Sequence, residues 1–168
     1  DARDDTSGGK KPTTTPVQNI TFDLVAVSAN DIWITSWGGG VRRTTDRGQS
    51  WQTVTTDGLP YDVLGQLNHR GFSTVAENGN IWIGTYDNGV AMQTPDGWEH
   101  YPIPASLAFN PIRLYCLEVS SSGIIYAGSS EGLLKYSDGT WTLTAGFPSW
   151  DMAVKENGDI AVASFQPF

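Results

Sequence analysis

The chain has 168 residues, 39% hydrophobic and 17% charged, a balance that fits a folded protein with one sizeable core and excludes a disordered one. Its net charge is −8, and the only adjacent basic pairs are Lys10-Lys11 and Arg42-Arg43, which argues against nucleic acid as a partner because phosphate binding needs clustered Lys and Arg. No stretch approaches the run of about eighteen apolar residues that would cross a membrane as a helix.

Residues 1–17 are Gly, Pro, Thr and charge without an apolar period, the composition of a flexible linker or tail. The chain opens on Asp1, not Met, which points to a removed targeting segment or to a piece of something longer. Asn19-Ile20-Thr21 fits the glycosylation acceptor pattern, a match too short to carry weight. From Ile20 onward every segment reads as a short strand between turns.

A first unit covers about residues 20–55. It contains Asn30-Asp31-Ile32-Trp33-Ile34-Thr35-Ser36, a Gly38-Gly39-Gly40 hairpin turn, and Thr44-Thr45-Asp46-Arg47-Gly48-Gln49-Ser50-Trp51. A longer connection, 58–70, separates it from a second unit at about 61–101. There the spacing predicts strands over 71–76, 81–85, 90–94 and 98–101, joined by turns at 77–80, 87–89 and 95–97. Asn-Gly and Asp-Gly are the strongest hairpin signals available, because Gly supplies the positive φ of a primed turn.

The segment 105–109 is the nearest approach to a helix, but it is too short and is hemmed by Pro104 and Pro111. A third unit, about 112–144, contains the lone cysteine, Cys116, in the apolar run 114–117, where a buried inert thiol is expected. A single thiol permits no intrachain disulfide. A fourth unit, 149–168, reaches Phe168 just after its second strand and is therefore incomplete.

The second strand of each unit is one phrase repeated, with Ile32, Ile81, Ile125 and Ile160 in register, 49, 44 and 35 residues apart. Such a period in β-forming residues describes a unit that buries its face only by stacking on its neighbours. The expected fold is therefore all-β: a β-propeller of about three and a half four-stranded antiparallel blades. Trp33, Trp82 and Tyr126 fall in second strands, and Trp51, Trp98 and Trp141 open fourth strands. These indoles read as core, each contributing about 150–250 Å² of largely apolar surface.

The runs at 81–90 and 32–41 resemble the propeller repeats of two-component-regulator sensor proteins. The run 44–51 is similar to an Asp-box, the Ser/Thr-x-Asp-x-Gly-x-Thr/Ser-Trp hairpin of sialidase-type propellers, with shortened versions at 137–141 and 94–98. Together these resemblances span about residues 20–168. They imply that Asp46, Gly48 and Trp51 are fold elements, not catalytic ones, and that the chain works outside the cytoplasm, in the periplasm, at the cell surface or secreted.

Closed propellers have about four to eight blades, so three and a half implies completion. The missing blades would come from a longer version of the same chain, another polypeptide or a second copy.

In a propeller the loops after each second strand share one face with the connections between blades. The residues just past the second strands are Trp37, Tyr86, Ser130 and Phe165, an arc of three aromatics suited to stacking on a sugar ring or a peptide side chain, or to packing between blades. Neighbouring loops add Asp87, Asn88 and Glu131, and the longer connections add Tyr61, His69, Arg70 and Trp150.

A sialidase-like hydrolase would need converging arginines and a Phe/Tyr-Arg-Ile-Pro strand, and Asn110-Pro111-Ile112-Arg113 does not match it. A paired-carboxylate glycosidase stays open, since such pairs come from distant loops. His69 and His100 lie far apart and Cys116 is alone, so no metal ligand set is present, and no cofactor is implied. The sequence thus points to a non-catalytic, extracytoplasmic binding or scaffold module for a protein partner or glycan. The alternatives are a ligand-sensing ectodomain piece of a two-component sensor and a sialidase-like hydrolase.

Overall fold

The computed structural model describes residues 21–36, 40–54, 71–85, 89–107, 112–155 and 157–164, with only the backbone of Gly71 and Phe72. The expected tail, 1–17, lies outside them. Within them the chain is all-β. The first sheet is β1 (Thr21–Ala26), β2 (Ile32–Ser36), β3 (Gly40–Thr44) and β4 (Gln52–Val54), in that order. The second is β5 (Gly71–Glu77), β6 (Asn80–Thr85), β7 (Val90–Thr94) and β8 (Gly97–Tyr101). The third is β9 (Leu114–Val119), β10 (Ile125–Ser129), β11 (Leu133–Ser137) and β12 (Thr140–Ala145), and β13 (Asp151–Val154) pairs with β14 (Ile160–Ala163) in a fourth. All the pairings are antiparallel and sequential.

Local chemistry sets the hairpins. Asn78 and Gly79 have φ of 52° and 79°, and Asp138 and Gly139 have 51° and 78°, the two left-handed residues of a primed turn whose twist matches the flanking strands. The turn before β4 is held by Asp46. Its Oδ1 accepts from Thr44 Oγ1 (2.7 Å) and the Ser50 amide (2.9 Å), and its Oδ2 accepts from Ser50 Oγ (2.6 Å). Gly48, at φ 83°, faces the Trp51 ring, and Trp51 stands one residue ahead of β4. Arg43 forks onto Asp31 (2.8 and 2.7 Å) while its guanidinium carbon lies 4.9 Å from the centre of the Trp33 ring.

The core lies between sheets, not within them. One cluster joins the first and second sheets through Trp33, Val41, Ile81 and Ile83. The next joins the second and third through Trp82, Val90, Leu114, Leu117 and Trp141, and a smaller one joins the third and fourth through Cys116, Tyr126, Leu133 and Met152. The first strands of the sheets, β1, β5, β9 and β13, are consecutive neighbours, so the sheets succeed one another as blades around a shared inner wall.

One position on each inner strand fastens it to the next. Asp23 Oδ2 accepts the Thr74 amide at 2.8 Å, Ser73 Oγ donates to the Leu114 carbonyl at 3.4 Å, and Cys116 Sγ donates to the Ser149 carbonyl at 3.7 Å. Gly84 and Gly128 on the second strands make this approach possible. A Cβ at Gly128 would run into the Cys116 sulfur and sit 2.7 Å from the Ser149 carbonyl oxygen, and one at Gly84 would meet the Ser73 hydroxyl. Gly128→Val should therefore destabilise by about 3 kcal/mol in a urea titration, whereas Gly123→Ala and Gly146→Ala, which meet no neighbour, should leave Gly128's interface intact.

Trp82 and Trp141 are buried, and their indole nitrogens have no hydrogen-bond partner. Their contribution is thus packing alone. Trp141→Ala should cost about 3–5 kcal/mol, and Trp141→Phe markedly less, because no hydrogen bond is lost. Equal losses in chemical denaturation would contradict this.

Candidate functional site

Antiparallel pairing fixes which loops gather at one end of the inner wall. Thr21 pairs with Ser36, Gly71 with Thr85, and Leu114 with Ser129, so each inner strand begins where the second strand ends. The loops leaving the second strands are closed by one repeated hydrogen bond. Ser36 Oγ donates to the Gly40 carbonyl (3.1 Å), Thr85 Oγ1 to Gly89 (2.7 Å) and Ser129 Oγ to Gly132 (2.8 Å). All three hydroxyl residues are buried, so the bond satisfies polar groups that would otherwise be costly.

At this end the inner strands share a second irregularity. Between Thr21 and Asp23, between Gly71 and Ser73, and between Leu114 and Cys116, the register slips by one residue. The extra residues are Phe22, Phe72 and Tyr115. A bulge re-aims its side chain away from the strict alternation of a strand. Trp150, directly ahead of β13, holds the matching place, its amide bonded to the Ala163 carbonyl at 2.9 Å. The Trp150 and Tyr115 rings stack at 4.1 Å and 15°.

Beside these rings opens a cavity of about 360 Å³, walled by all four inner strands. Its lining includes Phe22, Asp23, Tyr115, Glu118, Asp151 and Met152. Three carboxylates thus face one space. Burial pushes the Asp23 pKa up, opposed by the Thr74 and Leu24 amides and reinforced by the charge on Asp151. Glu118 is raised by burial and then by the charges of Asp151, Glu77 and Asp23. Cys116, on the same wall, is pushed up to about 12 by burial and by Asp151. Elsewhere, Ser50 and Thr44 hold Asp46 at about 2, and the Arg43 fork lowers Asp31.

Of the residues singled out for ligand contact, Glu131 and Trp150 lie among those described. Trp150 stacks on Tyr115, which lines the cavity. Glu131 sits in the closed loop after β10, its amide bonded to Ser129 Oγ (3.2 Å) and its carboxylate accepting from Ser130 Oγ (3.3 Å). Trp37, Tyr86, Asp87, Asn88, Phe165, His69, Arg70 and Tyr61 fall outside the described residues. Asp23, Glu118 and Asp151 were not foreseen. Asp23 and Asp151 share a signal, the triplet of an aromatic, a polar or thiol residue and an apolar or Thr residue at 22–24, 72–74, 115–117 and 150–152, and Glu118 stands just beyond the third of these. Among the described residues, no three His, Cys, Asp or Glu side chains are arranged to hold a metal ion, and no helix is long and apolar enough to cross a membrane.

The chain matches no described protein family and no curated protein. Its fold is nevertheless shared with solved structures. One is the extracellular domain of a putative hybrid two-component system from B. thetaiotaomicron, at 19% identity and a TM-score of 0.67, over 91% of this chain and 20% of that one. A second is YCF48 bound to D1 peptide, at 16% identity and 0.62, over 89% of this chain and 49% of that one. A third is the WD40 β-propeller domain of Doa1, at 17% identity and 0.57, over 86% and 47%. The fold is a β-propeller, and the chain spans between a fifth and a half of these neighbours.

The shifted groups give stability a definite pH profile. Asp23 and Glu118 titrate above their ordinary values of 3.8 and 4.5 in the fold, so acidification stabilises through both, and the gain is complete below those values. Asp31 and Asp46 act oppositely, and their contribution is lost as pH falls from 3.8 toward about 2. The melting temperature should rise from neutral pH to about pH 4 and then fall, and Asp23→Asn should flatten the rise. Cys116 should resist iodoacetamide in the native state and react fully once unfolded, and rapid native alkylation would contradict the burial that raises its pKa.

Proposed function

We propose that this propeller is a non-catalytic binding module that works outside the cytoplasm and engages a protein partner or a glycan at the loop-bearing mouth of its inner wall. The observation that carries this reading is the cavity of about 360 Å³ where stacked aromatics stand next to carboxylates. A ring face such as that of Trp150 suits a sugar or a peptide side chain, and the carboxylates favour hydrogen-bond donors and cations. The extracytoplasmic setting is supported by likeness in fold to a two-component extracellular domain. Engagement of a peptide is supported by the bound D1 peptide of YCF48.

The non-catalytic reading rests on how the carboxylates are used. Both oxygens of Asp23 accept backbone amides, from Leu24 and Thr74, and one oxygen of Asp151 accepts the Met152 amide. These groups brace strands. A sensing ectodomain is the second reading, favoured by the same extracellular likeness, and it shares the binding site and adds a signalling segment.

A glycan array and a peptide library, probed with the 168-residue chain, should reveal binding that is lost in Tyr115→Ala plus Trp150→Ala at an unchanged melting temperature. Trp37→Ala plus Tyr86→Ala extends the test to the loop arc. Turnover of a fluorogenic glycoside panel, abolished by Glu118→Gln, would replace the binding module with an enzyme.

A further inference from the structure

We propose that the cavity in the inner wall seats the guanidinium or ammonium head of a basic side chain from a partner peptide, with Glu118 as the residue that holds it. The inference rests on the binding reading above and narrows its ligand to a basic peptide. The starting point is one row of the inner strands that breaks its own rule. Register sets Val25 opposite Trp33, Val75 opposite Trp82, Glu118 opposite Tyr126 and Ala153 opposite Ala161, so Val25, Val75, Glu118 and Ala153 hold one position in successive blades. Three of them are apolar, and Glu118 is a carboxylate.

Glu118 lines the cavity and is half-buried. Among the described residues, no hydrogen bond or ion pair reaches its carboxylate. Burial pushes its pKa up, and the charges of Asp151, Glu77 and Asp23, all of its own sign, push it further. A carboxylate kept in such a place costs stability. A local rule broken with no return inside the fold marks a functional position. A positive charge would relieve it, and neither Lys nor Arg stands among the described residues that line the cavity.

Thr74 gives a second, independent sign. It lines the same cavity at 7% exposure, and its Oγ1 is buried without a hydrogen-bond partner. A buried hydroxyl normally has a partner. A cationic head supplies one, because its N–H groups donate to hydroxyl and carboxylate oxygens alike. Asp23 and Asp151 contribute charge more than contact, since both oxygens of Asp23 and one of Asp151 already accept backbone amides. Tyr115 adds an aromatic ring to the wall, and a cation over such a ring gains further. A bare metal ion fits less well, because no three His, Cys, Asp or Glu side chains among the described residues are arranged to hold one. A guanidinium, with its N–H groups spread around a planar edge, suits one carboxylate accompanied by a hydroxyl.

The probes are short glycine-flanked peptides that differ only in a central arginine, lysine, citrulline or glutamate, titrated calorimetrically into the 168-residue chain. The arginine and lysine peptides should bind and the glutamate peptide should not. Citrulline, which keeps the shape of arginine and loses its charge, should bind roughly tenfold or more weakly, the loss expected for one charge-assisted contact. Glu118→Gln should erase the preference for arginine over citrulline. Glu118→Val, matching the first two blades, should abolish arginine binding while raising the melting temperature, a pairing that a bracing role does not produce. Equal binding of the arginine and citrulline peptides, arginine binding untouched by Glu118→Gln, or a lower melting temperature for Glu118→Val would each overturn the proposal. A glycan or uncharged peptide that binds through Tyr115 while every basic probe fails would overturn this inference and leave the binding reading standing. Failure of every ligand class would end both.

Discussion

The fold depends on how closely neighbouring inner strands approach. Each sheet is too small to bury a core of its own, so its apolar residues are hidden only when the next sheet lies against it. That approach is permitted by the missing side chains of Gly84 and Gly128 and directed by Asp23, Ser73 and Cys116, which reach into the following strand. The three side chains differ in chemistry, and their targets differ to match. The carboxylate accepts an amide, while the hydroxyl and thiol donate to carbonyls.

The mouth of the inner wall follows from the same constraint. Bringing four strand ends together concentrates whatever stands near each first residue. Here that is a bulged aromatic, Phe22 on β1 and Tyr115 on β9, and, on β1 and β13, a carboxylate; β9 adds Glu118 further along. Asp23 shows how one group serves both purposes. It bridges two blades through the Thr74 amide, yet its burial beside Asp151 raises its pKa, so fold stability and the electrostatics of the mouth rise and fall together.

Much of the architecture was legible because it is written locally. The Asn-Gly and Asp-Gly turns, the Ile-Trp-Ile phrase and the tryptophans that cap the blades each declare themselves within a few residues, and strands β5 to β8 lie within a residue of the expected spans. The mouth was harder to read. Asp23, Glu118 and Asp151 are spread over most of the chain and meet only because the blades turn about one axis. Phe22 and Tyr115 sit on bulges, which break the period of two that marks a strand. Trp150 lies in the connection ahead of β13, as expected, but its stacking on Tyr115 depends on the neighbouring blade. The lone cysteine was read as a buried thiol from its apolar run, and it is buried, but its link to Ser149 could not be seen without the neighbouring blade.

Hydrogen exchange at the Thr74 amide tests the locking of blade to blade most directly. That amide is bonded to a side chain of the neighbouring blade, Asp23 Oδ2, at 2.8 Å. If the blades are locked through this position, Thr74 should exchange as slowly as the amides inside the β5–β6 ladder, and Asp23→Ala should accelerate it while sparing the ladder. An amide that exchanges as fast as those of an exposed turn in the unaltered protein would contradict it.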